Sequence, residues 1–158
     1  MCHRYRSFRR YVNSIDAVHN VLLDYCRFVD EAQAEAVTDL FAPTGELIEG
    51  RTYSGREEIC TYLKKVLSQL SATSHHLTNV KINIGSNNQA TATSYVYAWH
   101  RRLDGTNFEI WGRYEDNFRT TDKYWTFQRR LVKIAGTRGI EGLDGFHHVQ
   151  RVNKTTNP

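Results

Sequence analysis

At residue 73 the apolar period of this 158-residue chain changes, and that change limits the fold more than any other feature. Before it, apolar residues recur every three or four positions; after it, they alternate in twos. Ile15, Val18, Leu22, Tyr25 and Val29 form one stripe at helical spacing. Ser14 is placed as its N-cap and Asp16 falls in its first turn, where a carboxylate suits the helix dipole. A second short helix is expected over about 33–41, with Val37, Leu40 and Phe41 on one side. Pro43-Thr-Gly45 breaks it, Glu46 to Glu49 reads as a short strand, and 50–55 as a turn-rich link. A third helix, about 56–70, carries Ile59, Tyr62, Leu63, Val66, Leu67 and Leu70 on one face.

Four strand-like runs rich in Val, Ile, Thr, Tyr and Trp then follow, at about 74–84, 89–102, 108–119 and 124–134. The links 85–88, 104–107 and 120–123 have hairpin length and turn chemistry. Helices first and an antiparallel meander after them predict an α+β fold, with the helices gathered on one face of a curved sheet. No repeat or internal boundary divides it. We place a basic tail at 1–13, one domain at 14–135 and a glycine-rich tail, mostly loop with room for an edge strand, at 136–158. The outermost residues of both tails are expected to be peripheral.

Charge excludes one class of function. The net charge is +4, but Arg4, Arg6, Arg9, Arg10, Arg151 and Lys154 lie in the two ends, which hold no acid. Outside those ends fifteen basic residues face seventeen acidic ones. The body thus lacks the basic face that a nucleic-acid partner needs. No apolar run has the length of a membrane span, so no membrane partner is expected either. The start lacks the apolar core of a secretory signal, although an acid-free, Arg-rich start also fits a transit peptide. The three cysteines, Cys2, Cys26 and Cys60, have no metal-ligand spacing and read as reduced thiols of a cytoplasmic protein. No metal and no cofactor is expected.

Asp30 closes the first apolar stripe, where a carboxylate is badly placed for the helix dipole. His75 and His76 open the first long strand. A histidine meeting an aspartate in an apolar cavity makes a general base, with its tautomer fixed and its imidazolium stabilised by the carboxylate. Spacing alone leaves a solvated Asp30 equally open. Strand parity also leaves the histidine open: His75 shares a face with Leu77 and Asn79, His76 with Val80, Ile82 and Ile84. Unless a bulge intervenes, both cannot face inward.

Seven pieces in order, Tyr25-Cys-Arg-Phe-Val-Asp30, Asp39-Leu-Phe-Ala-Pro43, Gly55-Arg-Glu-Glu-Ile59, His75-His-Leu-Thr-Asn79, Ala92-Thr-Ser-Tyr95, Gly112-Arg-Tyr-Glu-Asp116 and Trp125-Thr-Phe-Gln-Arg129, resemble the SnoaL-like branch of the nuclear transport factor 2-like superfamily. The resemblance implies a cone-shaped sheet packed with helices around a deep pocket, a homodimer or homotrimer, and a small hydrophobic ligand. It implies a His–Asp pair in dehydratase-like members, which favours His75 with Asp30, and a second histidine at His100, a candidate general acid. Tyr25, Tyr53, Tyr95, Tyr114 and Asn79 are then candidates for holding a substrate, although each tyrosine is more often simply core. Asp116 shares the parity of Tyr114, and Asp104 sits in a turn. His147-His148 lacks a third ligand for a metal. A cofactor-independent lyase or isomerase of the dehydratase kind, working on a small apolar carbonyl or polycyclic compound, is the activity implied. A non-catalytic ligand-binding or accessory subunit, like the small subunits of ring-hydroxylating dioxygenases, is the alternative.

Overall fold

The structure, a computed structural model, describes residues 2–121 and 124–150, with the side chains of 2–13 and of Thr121 outside the description. Helix α1 (Cys2–Asp30) is followed by α2 (Ala34–Asp39), β1 (Phe41–Glu49), β2 (Arg51–Ser54) and α3 (Gly55–Leu67). Then come the long strands β3 (Leu70–Ile84), β4 (Gln89–Arg102), β5 (Asn107–Thr121) and β6 (Tyr124–Arg138), and the short β7 (His147–His148). The sheet order is β2-β1-β6-β5-β4-β3, with β7 added on β6. All neighbours are antiparallel except β1 and β7, which each run parallel to β6. The result is the expected α+β cone: a curved, unclosed sheet with the N-terminal helices packed in its hollow.

The apolar stripe read from the sequence is the face α1 buries: Val18 and Leu22 are fully enclosed, and Tyr25 and Val29 nearly so. They meet Ile59 and Leu63 of α3 and the inward side of the sheet in one core. On β4 the even positions Ala90, Ala92, Ser94, Val96, Ala98 and His100 are buried. Four of these are alanines or serine, so this part of the inner sheet face carries short side chains and leaves room above it.

The elements depart from expectation at their ends. The α1 backbone is already helical at Cys2, so Ser14 lies inside the helix and is not its N-cap. Pro43-Thr-Gly45 lies within β1, at a register shift against β6, and the link at 50–55 contains β2. Strand β6 runs past residue 135 to Arg138, and the chain then returns to pair His147-His148 beside it. The limits set at 13 and 135 therefore fall inside elements. Residues 151–158 of the expected C-terminal tail lie outside the described residues.

Strand β3 answers the parity question. Its register against β4 shifts between Thr78 and Lys81, and Asn79 there has a φ of +50°. This bulge exchanges the faces of the strand. Before it Thr73, His75 and Leu77 stand opposite His100, Ala98 and Val96; after it Ile82 and Ile84 stand opposite Ala92 and Ala90. One strand thus points both His75 and Ile82 inward, although their numbers differ in parity.

Candidate active site

The site begins at the end of α1. The helix closes through Ala32, whose φ is +54°, with the Gln33 N–H donating to the Phe28 carbonyl at 2.8 Å. Asp30, its last residue, turns towards β3. One carboxylate oxygen, Oδ1, lies 2.7 Å from Nδ1 of His75 and accepts from the Thr73 hydroxyl at 2.8 Å. The other, Oδ2, accepts from the His75 backbone N–H at 2.9 Å. The His75 side chain is 8% exposed and that of Asp30 27%. Burial works to raise the Asp30 carboxyl, but the hydrogen bonds from His75 and Thr73 outweigh it and hold the group below its ordinary range. An ionised Asp30 takes the Nδ1–H of His75, which leaves Nε2 as the nitrogen with a lone pair.

His75 lines a cavity between the helices and the sheet. Its walls include Val29, Leu63, Leu67, Val96, Ile110 and Val132, with Tyr25, Glu49, Tyr62, His100 and Tyr114 as the polar members beside His75 and Thr73. His100 is edge-on to His75, ring centres 5.3 Å apart, and stacks flat on Phe108 at 4.3 Å. Its Nδ1 is buried with no hydrogen-bond partner. Burial, and then the neighbouring His75, press its pKa down to about 4. His100 is therefore a neutral imidazole at ordinary pH, which suits a hydrogen-bonding group rather than the protonated acid expected from the sequence.

The proposed substrate contacts divide. Tyr25 and Tyr114 reach the cavity, both kept as phenols by burial. Tyr53 is buried but stacks on Tyr62 at 3.8 Å, one layer behind the lining. Tyr95 is on the outer face of β4, 38% exposed, under the Arg113 guanidinium. Asn79 is exposed in the bulge. Tyr95 and Asn79 are corrected as cavity groups: Tyr95 points outward, and Asn79 supplies a left-handed backbone that asparagine tolerates. His76 also faces out, against Ser74 and Tyr97.

Two polar residues, Arg130 and Glu49, escaped the sequence reading. Asp116 does face inward, but its partner is Arg130, which donates from Nε and Nη2 to the two carboxylate oxygens at 2.8 Å each. Both side chains are 0% exposed. The guanidinium carbon lies 3.9, 4.2 and 4.3 Å from the ring centres of Tyr25, Tyr114 and Phe127. The second is Glu49, at the end of β1, which lines the cavity beside Tyr62 of α3. Its place after Leu47 in a two-residue alternation was the signal available.

No group of His, Cys, Asp and Glu able to hold a metal ion occurs among the described residues. No helix among them is long and apolar enough to cross a membrane. Burial raises the Cys26 thiol to about 11, which makes it a packing group rather than a nucleophile.

The fold is shared with several solved structures. A scytalone dehydratase candidate from Novosphingobium aromaticivorans superposes with a TM-score of 0.84 at 23% identity, covering 90% of this chain and 97% of its own. A candidate aromatic ring hydroxylase from the same organism gives 0.74 at 24% identity, covering 82% and 93%. The type-3 hexachlorocyclohexane dehydrochlorinase of Novosphingobium barchaimii gives 0.74 at 19% identity, covering 89% and 97%. No curated protein sequence matches. The model of the SnoaL-like domain matches residues 10–131, most of the chain. The cone, its helices and that match together place this protein in the SnoaL-like domain family.

Proposed function

We propose that this protein is a lyase or isomerase that needs no cofactor and acts on a small, largely apolar carbonyl compound, with His75 as general base and Asp30 as the group that orients it. The observation that carries this reading is the 2.7 Å contact between His75 Nδ1 and Asp30 Oδ1 at the wall of an otherwise mostly apolar cavity. With Nδ1–H committed to Asp30, Nε2 takes a proton alpha to the carbonyl. Asp30 stabilises the imidazolium that forms. Tyr25 or Tyr114, as phenols, or neutral His100 donate a hydrogen bond to the developing enolate oxygen. The apolar walls exclude water and strengthen these contacts. The dehydratase and dehydrochlorinase names among the structural neighbours fit an elimination of this kind.

The test is deuterium exchange in heavy water with a panel of cyclic ketones and hydroxyketones. Wild type should exchange the alpha proton of at least one member, and His75→Ala should lose about 10²–10⁴-fold of that rate. Equal exchange by wild type and by the His75→Ala, Asp30→Asn double variant would remove the base.

A second reading, an accessory or ligand-carrying subunit, draws support from the ring-hydroxylase candidate among the neighbours. It predicts binding of the same ketones with no exchange. In either reading we assign self-association as a dimer or trimer to the outer sheet face, where the tilted rings of His76, Tyr97 and Trp111 lie 5.8 and 5.7 Å apart in turn. Sedimentation of wild type against Trp111→Ala checks this. The free thiols of Cys26 and Cys60 fit a reducing, cytoplasmic setting.

A further inference from the structure

We propose a second binding site, on the outer face of the sheet, that takes the phosphate or carboxylate group of a small molecule with Arg113 as its anchor. It is independent of the reading of His75. Tyr114, Val132 and Ile134 are buried on the inner face, so the alternating Arg113, Glu115 and Lys133 face outward. The register sets Tyr95 of β4, Arg113 of β5, Lys133 of β6 and His147 of β7 side by side in one row across four strands. Two fixed cations, Arg113 and Lys133, are thus direct cross-strand partners. Like charges so placed repel each other unless an anion offsets them.

A basin of about 340 Å³ opens over this row and shares no lining residue with the cavity that holds His75. It exists because the chain returns after β6. The Val149 N–H donates to the Ile134 carbonyl at 2.8 Å, and the returning segment raises His147 and His148 as a wall beside Lys133. The row lies next to that of Tyr97 and Trp111, and the basin extends away from it, towards Glu115 and β7.

The charges in the basin do not balance. Its single carboxylate, Glu115, accepts from Lys133 Nζ at 2.7 Å. None of the ion pairs among the described residues reaches Arg113. Two cations against one carboxylate leave one positive charge, and it sits on Arg113. The Arg113 guanidinium is half-buried and lies over the Tyr95 ring, 4.4 Å from its centre. The ring orders the side chain and leaves its N–H edge open. A fork held this way matches a group with two oxygens, a carboxylate or a phosphate. Lys133 keeps two ammonium donors beyond the one given to Glu115, and the two imidazoles add ring N–H groups.

The experiment is titration calorimetry at constant ionic strength, with inorganic phosphate in one arm, malonate in the other and chloride as the blank. At least one arm should show saturable binding of one anion per chain, and that arm identifies the oxyanion. Arg113→Gln should weaken it by about 10-fold or more. Arg113→Lys, which keeps the charge and loses the fork, should fall between. Glu115→Gln should tighten it, because a facing negative charge is removed. His75→Ala should bind as wild type does. In imidazole spectra assigned with His147→Gln and His148→Gln, the anion should move the signals of those two residues and leave that of His75 in place. No saturable binding in either arm would overturn the proposal. So would wild-type affinity in Arg113→Gln, or a shift confined to His75 and His100, which would put the anion in the cavity instead.

Discussion

Two carboxylates meet basic side chains inside this cone, and the contrast between them separates a pair that can exchange a proton from one that cannot. Asp30 and His75 touch at 2.7 Å, as closely as Asp116 and Arg130 do at 2.8 Å. Distance does not distinguish them. Asp30 is partly open and its partner can lose a proton and regain it; Asp116 is sealed, and its partner never does. Burial alone would lower the Arg130 pKa, but Asp116 opposite raises it further. Three aromatic rings close over the guanidinium. Such a pair packs against Tyr25 and Tyr114, which reach the cavity.

The sharpest break of this comparison is the same substitution made twice. Asp30→Asn should cut turnover by about 10²-fold or more, as the imidazole loses its fixed tautomer, while melting moves little. It should not add to His75→Ala, because the two act as one unit. Asp116→Asn should do the reverse. It leaves a buried guanidinium uncompensated and should cost about 3–5 kcal/mol of stability, measured by urea unfolding. Replacing both partners, Asp116→Leu with Arg130→Met, should recover much of that loss. If Asp116→Asn proves silent in stability, the pair is not the structural one.

The next effect is on pH. His100 has its imidazole pKa lowered from 6.5 to about 4 in the folded chain. Between those values the unfolded chain binds a proton that the native one refuses, so stability rises with pH across the window. The total is of order 3 kcal/mol. His100→Gln should flatten that slope in denaturation followed from pH 7 to pH 4. Asp30, held below the ordinary carboxylate range, contributes stability above that range and loses it only as pH falls through its lowered value. The Asp30 limb therefore lies at the acid side of the His100 limb.

The change of period at residue 73 was enough to lay out helices, meander and cone, because period reports burial directly. Parity on β3 was not enough. It assumes an unbroken pleat, and Asn79 breaks the pleat at a φ of +50° that no neighbouring residue betrays. The partner of Asp116 was hidden for a different reason. Arg130 sits among Arg129 and Lys133 in a sequence that elsewhere exposes its cations, and only the fold puts it under three rings. Glu49 was passed over because a lone carboxylate at a strand end usually faces water. The β1–β2 turn at Gly50, with φ +74°, follows it directly, and Glu49 lines the cavity instead.

The smallest expected effect tests how Asp30 is held. Thr73 donates its hydroxyl to the same oxygen that meets His75, so Asp30 has three donors and one of them is dispensable. Thr73→Val keeps the shape and removes that hydrogen bond. Asp30 retains some exposure, and water can take the vacated site. The cost should then be about 0.5–1.5 kcal/mol, seen as a loss in kcat of a few-fold with little change in KM. With one donor gone the carboxyl should also move up towards its ordinary range, and the acid edge of activity should move up with it. Asp116 offers no such graded response, since its two oxygens are held by one rigid fork. A Thr73→Val loss as deep as that of Asp30→Asn would mean that the hydroxyl, and not the carboxylate alone, sets the orientation of His75.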